Sequence, residues 1–523
     1  MRNFILPLVL LVASCDAGRN TPVVLNASNN IATSEACISL HSQYPALTLF
    51  PNETGFDSQT HVESWSAAAW LTPACVFTPL KTEHVSVAVK TFAEMRVPFA
   101  IRGRGGMPIS DAANSNSSGV LISNSNFTTL RLSKDHSYIS ASPGNIWENV
   151  YKALEPYKLA AVGARLGVVG VSGFTLWGGV SFFAYKHGLA SSNVRAFECV
   201  LGDGTIVEAT AWNQHSDLFW ALKGGGNNFC FVTRFDFQTL PAATIHVGST
   251  SYNASSGDAF LDSVYNWAVN GSADTNSAVL PLVNLGNGAP SPSYSSTLFY
   301  NGNDSSPVAL RNFTEPAKSM SPLSNTFRRR TMYNYTLETD APFKMDPSPA
   351  LNYRQRFHTF SFRVDREAMQ YIHDVYIASV QPLLNISGFY TGLGYNIITP
   401  GLIRPGNEAD GGNPQGIDEA DYPAFWMESS LSWSEAADDG RIDAFVRSVG
   451  ANLTTYLENR GLLTPFLYPN QADDTQAVFD QYPARNVASL KDVRDKYDSA
   501  GVFTELVPGG FKLAHATSAR GRS

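Results

Sequence analysis

Charge is scarce in this 523-residue chain. Only 16% of its residues are charged, and 45 acidic side chains against 37 basic ones leave a formal net charge of −8. That balance, with no long basic run, argues against a nucleic-acid partner. Cysteine is nearly as scarce. Cys15, Cys37, Cys75, Cys199 and Cys230 include no CxxC pair, and the ten histidines show no metal-ligand spacing, so no metal is expected. Beyond the first fifteen residues no apolar run is long enough to span a bilayer, so no transmembrane segment is expected.

The beginning of the chain is the exception. Met1 to Cys15 combines a basic start, an apolar run and small residues, which reads as a secretory signal over 1–17. Eleven Asn-x-Ser/Thr sequons begin at Asn26, Asn52, Asn116, Asn126, Asn253, Asn270, Asn303, Asn312, Asn334, Asn385 and Asn452. Behind a signal, that many sequons imply a glycosylated chain that is secreted or held in the secretory lumen.

Glycine is abundant where charge is not, from Val162 to Phe237. A glycine-rich loop runs from Gly167 to Gly179. Val194 to Val200 and Thr205 to Glu208 flank an Asp-Gly turn and predict a hairpin. Asp217 is placed to cap a helix over Leu218 to Lys223, and Gly224-Gly225-Gly226 leads into a strand from Val232 to Phe237. Glycine permits positive φ and close approach, and packed glycine loops form nests of backbone N–H groups that hold anions.

Upstream, Glu83 to Met95 is an amphipathic helix, with Val85, Val87, Val89, Phe92 and Met95 as its candidate buried side. It leads through the strand Val97 to Ile101 into Arg102-Gly-Arg-Gly-Gly-Met107. Gly119 to Ser123 and Ile139 to Gly144 read as strands, and Trp147 to Leu154 as a helix. After Pro241 the glycine loops stop. Strands are predicted at Ser295 to Tyr300 and Thr359 to Val364, helices at Arg366 to Val380 and Gly440 to Asn459, and a long polar loop over 399–421.

In this order, Gly173-Phe-Thr-Leu176, Gly178-Gly-Val-Ser-Phe182, Asn193-Val194, Asp203-Gly-Thr-Ile-Val207 and Asp217 to Phe229 resemble the oxygen-dependent FAD-linked oxidases, the berberine-bridge-like branch of the vanillyl-alcohol oxidase superfamily. Leu467 to Ala472 and Lys491 to Phe503 extend the resemblance to the C-terminal segment. It implies an α+β fold: a PCMH-type FAD-binding domain at 18–241 with its core at about 71–241, and a substrate domain at 242–465 with an antiparallel sheet covered by helices. Residues 466–512 then return to the first domain, and 513–523 form a loose tail. It also implies a bridge between Cys37 and Cys75, which an oxidising compartment would favour. Cys199 and Cys230 are left as buried thiols.

The resemblance assigns FAD contacts to Arg102, Gly103, Arg104, Gly105, Gly106 and Met107, then to Gly170, Gly173, Thr175, Gly178 and Gly179. Asn193, Val194, Gly225, Gly226, Asn228, Phe229, Val232 and Asn470 complete the set. Two departures matter. Gly106 stands where the family carries the histidine that bonds to the flavin ring, and Leu166 stands near a frequent second anchor, a cysteine. Any FAD is therefore expected to be non-covalent. Trp177 replaces a glycine, and its direction decides whether the flavin site is crowded. Gln471 replaces a tyrosine.

The expected activity is oxidation of a small molecule of specialised metabolism by a monomer, with hydride passing to FAD and O2 reoxidising it. Tyr390, Tyr395 and Glu428 are the candidate bases. Two other readings stay open: a non-redox cyclase on the same scaffold, and a binding protein without catalysis.

Overall fold

A computed structural model describes residues 27–242, 244–316, 318–320, 322–345, 348 and 350–516. The signal, Asn26 and residues 517–523 lie outside them.

Among the described residues, three sheets organise the chain. In the first, Cys75–Phe77 and Phe99–Arg102 both pair in parallel with Val120–Ser123, and Thr48–Leu49 adds an antiparallel edge. The helix Thr82–Met95 makes the crossover, burying Val85, Ala88, Val89 and Phe92. Val87 and Met95, expected on the same side, are only partly covered. The Cys37–Cys75 disulfide ties the helix Ala27–Gln43 to this sheet, while Cys199 and Cys230 are free and buried.

The second sheet is antiparallel. Its long strand Phe231–Pro241 lies between Tyr138–Ala141 and Val194–Val200, and Ile206–Thr210 completes the expected hairpin. The helix after it spans Ser216–Ala221, so Asp217 sits in the first turn rather than at the cap. Its carboxylate accepts from Leu218 N at 2.9 Å and from the Tyr497 hydroxyl at 2.7 Å.

The third sheet has nine strands. Ser277–Gly286, Tyr390–Ile398, Ala424–Trp433 and Arg354–Arg363 are antiparallel neighbours at its centre. Alternation along each strand sends successive side chains to opposite faces. One face is covered by helices: Tyr376 of the helix Arg366–Val380 bonds to Thr391 and Ser429, and His358 lies over Gly450 of the helix Asp439–Asn459. The other face carries small and polar residues, among them Asn284, Ser295, Gly392, Gly394, Asn396, Glu428 and Ser430, beside Leu282 and Trp426. Residues 399–421 are not one loop. Pro400–Glu408 is helical, capped by the Thr399 side chain, and Pro400 is tolerated because it occupies the first turn.

The C-terminal segment closes on the first two sheets. Phe99 N donates to Leu506 O at 2.7 Å, the Phe99 and Phe503 rings meet edge to face, and the helix Ala484–Tyr497 packs on Ser216–Ala221. The expectation of a loose tail from 513 fails up to Ala516. Leu513 is fully buried and donates its N–H to Asn228 Oδ1, and Lys491 Nζ reaches Ala516 O.

Candidate active site

The loop after Phe99–Arg102 is built from below. Arg102 is buried and bonds to the Gln59 carbonyl, to Gln59 Oε1 at 2.8 Å and to Ser123 Oγ at 2.8 Å. Burial, above all, lowers its pKa to about 10. Its side chain is thus a post beneath the loop. Arg104 is similarly engaged, paired to Glu63 at 3.3 Å. Trp65 N donates to Gly105 O at 3.0 Å. Gly105 has φ +65°, and a Cβ there would overlap the Glu63 carbonyl. The N–H groups of Gly103 to Met107 meet no acceptor among the described residues. Gly106 is exposed, with nothing within 4 Å of where its Cβ would be. A row of unengaged N–H groups on a glycine-shaped loop fits a dinucleotide pyrophosphate.

The second glycine loop interlocks with the first. Ser172 occupies the space beside Gly103, and Gly170 lies against the Arg104 stem. Gly173 is exposed and, like Gly106, faces open space. Asn470 donates to Phe174 O at 3.2 Å and more weakly to Gly173 O, leaving its buried Oδ1 without a partner.

Several other residues expected to touch FAD have side chains committed to the scaffold. Thr175 donates to Val171 O, and Asn193 donates to His187 O and Leu189 O. Asn228 donates to Gly225 O and Phe511 O. Phe229, Val194 and Val232 are buried. These side chains shape the glycine loops, and the backbones of Val194 and Val232 are paired within the second sheet. Gly178 and Gly179 take φ +100° and +76° in the turn after Trp177, and Gly225 lies against the Phe229 ring.

Trp177 does not reach the open positions at Gly106 and Gly173. Its ring lies where a Cβ on Gly226 would be, between Phe479 at 5.8 Å and Phe511 at 5.4 Å, and is 7% exposed. The large side chain therefore fills a gap between the Gly224–Gly226 loop and the C-terminal segment. Nearby, Lys512 is buried, donating to Asn227 Oδ1 and Phe503 O at 3.1 and 3.0 Å, and burial lowers its pKa to about 7.

The three candidate bases separate clearly. Tyr395 is removed by its position: it is fully buried on the helix-covered face, donates to Met369 O at 3.1 Å, and burial raises its pKa far above the usual phenol range. Tyr390 lies on the open face, 49% exposed, and donates to Asn284 Oδ1 at 2.6 Å. Glu428 lies on that same face deeper in the sheet, opposite Gly394. Burial raises its carboxyl pKa; Arg165, then Gln471 and Asn396, offset part of that rise. Arg165 Nη1 donates to Asn396 Oδ1 at 2.8 Å, and Trp426 Nε1 donates to Gln471 Oε1 at 2.9 Å.

Sequence reasoning missed Arg165 and Asn396. A signal existed for the first: Arg165 is the only charged residue from Val162 to Val180. It sits beside Leu166, whose side chain is 38% exposed at the expected position of the missing cysteine anchor.

A glycine-shaped anion cradle, together with a sheet face that carries a half-buried carboxylate, defines a flavin-type oxidoreductase site. Comparison with known proteins agrees. Residues 73–210 match the family of the FAD binding domain. An FAD-dependent monooxygenase of Penicillium roqueforti is 32% identical over 506 residues, covering 94% of this chain and 96% of the relative. A bifunctional solanapyrone synthase of Alternaria solani is 31% identical, covering 91% and 89%. In fold, 6-hydroxy-D-nicotine oxidase of Arthrobacter nicotinovorans superposes with a TM-score of 0.72 at 19% identity, over 88% of this chain and 96% of its own. The chain belongs to the berberine-bridge-like, PCMH-type family of FAD-linked oxidoreductases. It is an FAD-dependent enzyme, and FAD is its cofactor.

Proposed function

We propose that this enzyme oxidises a small molecule of specialised metabolism, with Glu428 as the base, in a secretory or extracellular setting. FAD, when bound, takes up the hydride and passes its electrons to O2. The unit formed by 18–241 and 466–512 holds the cofactor. Its loop N–H groups at 103–107 receive the pyrophosphate, Asn470 Oδ1 is available to the cofactor, and neither Gly106 nor Leu166 offers a covalent attachment. The unit over 242–465 presents the substrate on its polar sheet face. The observation that carries the reading is Glu428: a carboxylate in a poorly solvated site, its pKa raised by burial, on the open face of the sheet. Such a group holds a transferred proton more readily than an ordinary carboxylate. Arg165 and Gln471 hold it in place and limit the rise.

Export is supported by three features: the reading of Met1 to Cys15, the Cys37–Cys75 disulfide, and exposure of all ten described sequon asparagines. Among the described residues no helix is long and apolar enough to cross a membrane. A non-redox cyclase loses the support that a crowded glycine loop would lend it, because Trp177 lies outside the open positions. The test is to supply FAD-loaded protein with a panel of benzylic and allylic alcohols in air, without a nicotinamide cofactor. Hydrogen peroxide formed one-for-one with carbonyl product is the expected result. Oxygen incorporated into the product, or no flavin bleaching by any alcohol under anaerobic conditions, would overturn it.

A further inference from the structure

Two strand glycines, Gly392 and Gly394, stand out because the backbone does not require them. Neither has positive φ, and glycine inside a strand costs about 0.5–1 kcal/mol relative to alanine. Elsewhere in this sheet a strand glycine has a packing reason: a Cβ on Gly248 would overlap the Thr326 carbonyl. Gly392 has none. It is buried, yet its Cβ would meet only Asn284 Oδ1, at 3.7 Å. A buried residue with space above it lines a hollow, and glycine in a strand marks close approach by a ligand.

The hollow has a direction. Tyr390, Gly392, Gly394 and Asn396 follow one another on the same face. At the deep end, a Cβ on Gly394 would lie 3.1 Å from Asn396 Nδ2, 3.3 Å from Leu282 Cδ2 and 3.6 Å from Glu428 Oε2. Asn396 is fully buried, and its Nδ2 lies beside the Glu428 carboxylate, whose pKa it holds down, without meeting an acceptor in good hydrogen-bonding geometry among the described residues. Its orientation is fixed, because Arg165 donates to its Oδ1. Nδ2 carries two hydrogens, so a buried donor remains at the floor of the trough beside the carboxylate. The strand advances about 6.6 Å from the open position at Gly392 to the polar end at Gly394, close to one six-membered ring.

Building on the proposed oxidation, we propose that this trough is the specificity element of the enzyme and takes a flat, oxygen-bearing ring. The substrate lies face-on over Gly392 and Gly394. Its oxygen accepts from Asn396 Nδ2 and donates its proton to Glu428. In the oxidation CH–OH becomes C=O, the hydride leaves to the flavin and the proton to Glu428.

The test measures binding of 2-naphthol and of trans-2-decalol to FAD-loaded protein by equilibrium dialysis. The two share a ten-carbon skeleton and one hydroxyl but differ in flatness. The parent should hold 2-naphthol at least tenfold tighter. Gly392→Ala, Gly392→Val and Gly392→Leu should erode that preference stepwise, with FAD content and melting midpoint kept. Should the leucine variant fail to fold, the alanine and valine variants decide. Asn396→Asp keeps the Arg165 partner and removes the donor, and should weaken 2-naphthol at least fivefold while leaving naphthalene unchanged. Equal affinity for both alcohols, or a Gly392 series that matches the parent, would overturn the proposal. 2-Naphthol has no carbinol hydrogen and reports binding alone; absence of peroxide with every benzylic and allylic alcohol, with 2-naphthol binding intact, would count against the oxidase reading and leave the trough standing.

Discussion

Replacing Trp177 by glycine separates a packing role from a crowding role. If the indole crowded the flavin site, its removal would increase cofactor uptake at small cost. The structure leads to the opposite expectation. The side chain is 7% exposed and packed between Phe479, Phe511 and the Gly226 backbone. A tryptophan buries roughly 200 Å², worth about 5 kcal/mol at about 25 cal/mol per Å². Large-to-small replacement of a buried aromatic costs about 3–5 kcal/mol, and the added backbone freedom costs about 0.5–1 kcal/mol more. Trp177→Gly should therefore lower the guanidinium midpoint strongly and leave flavin per protein unchanged or reduced. A second variant isolates the contact. Gly226→Ala pays for φ +65° and for overlap with the indole; in the Trp177→Gly background only the φ cost, about 1–2 kcal/mol, remains. The two changes should thus be non-additive by at least about 1 kcal/mol. Unfolding curves and acid-released flavin provide both readouts. Higher flavin occupancy in Trp177→Gly, or strict additivity, would refute the reasoning.

Acid precipitation of the loaded parent should leave all flavin in the supernatant, since neither Gly106 nor Leu166 provides a tether; Gly106→His, entering open space, should retain parental stability, and yellow parent precipitate would contradict the assignment. Glu428→Gln should lower kcat by about 10²–10⁴-fold. In the parent, kcat/KM should fall as pH drops through a pKa above the ordinary glutamate range, and Arg165→Met, which removes the largest offset to burial, should move that limb to higher pH. Asp340 accepts from Gly167 N at 3.0 Å, and burial, with Glu148 beside it, raises its pKa to about 7. Because the folded value is the higher one, Asp340 contributes stability that is fully present below about pH 4 and is lost as pH rises towards 7. Asp340→Asn should flatten the stability profile across that window, and an unchanged profile would exclude the role.

The parts legible in the sequence are those fixed by local chemistry. Asp203-Gly204 set a hairpin, the apolar spacing of Trp147 to Leu154 set a helix, and the glycine order marked the cofactor loops. The parts that escaped depend on pairing between distant segments. Nothing local shows that Arg165 would meet Asn396, 231 residues away, or that Tyr395 and Glu428 would face opposite sides of one sheet. The register with Ala424–Trp433 decides that. The helix Pro400–Glu408 was hidden by its own composition, two prolines and two glycines that usually mark a loop. The Asp217 error was of two residues, since His215 is the cap: a carboxylate in the first turn resembles a cap.

The closure of the chain's last residues on its first sheets also sets an order in time. Phe99 waits for Leu506, Asn227 for Lys512, and Asn228 for Phe511. A ribosome adding about 5–20 residues per second releases the second glycine-rich unit roughly 15–55 s before the segment that completes it. During that interval the nascent cofactor half lacks the strap that holds its glycine loops together. Flavin loading is thereby expected to follow release of the finished chain, and a message truncated before the last fifty codons should yield a protein unable to keep its cofactor.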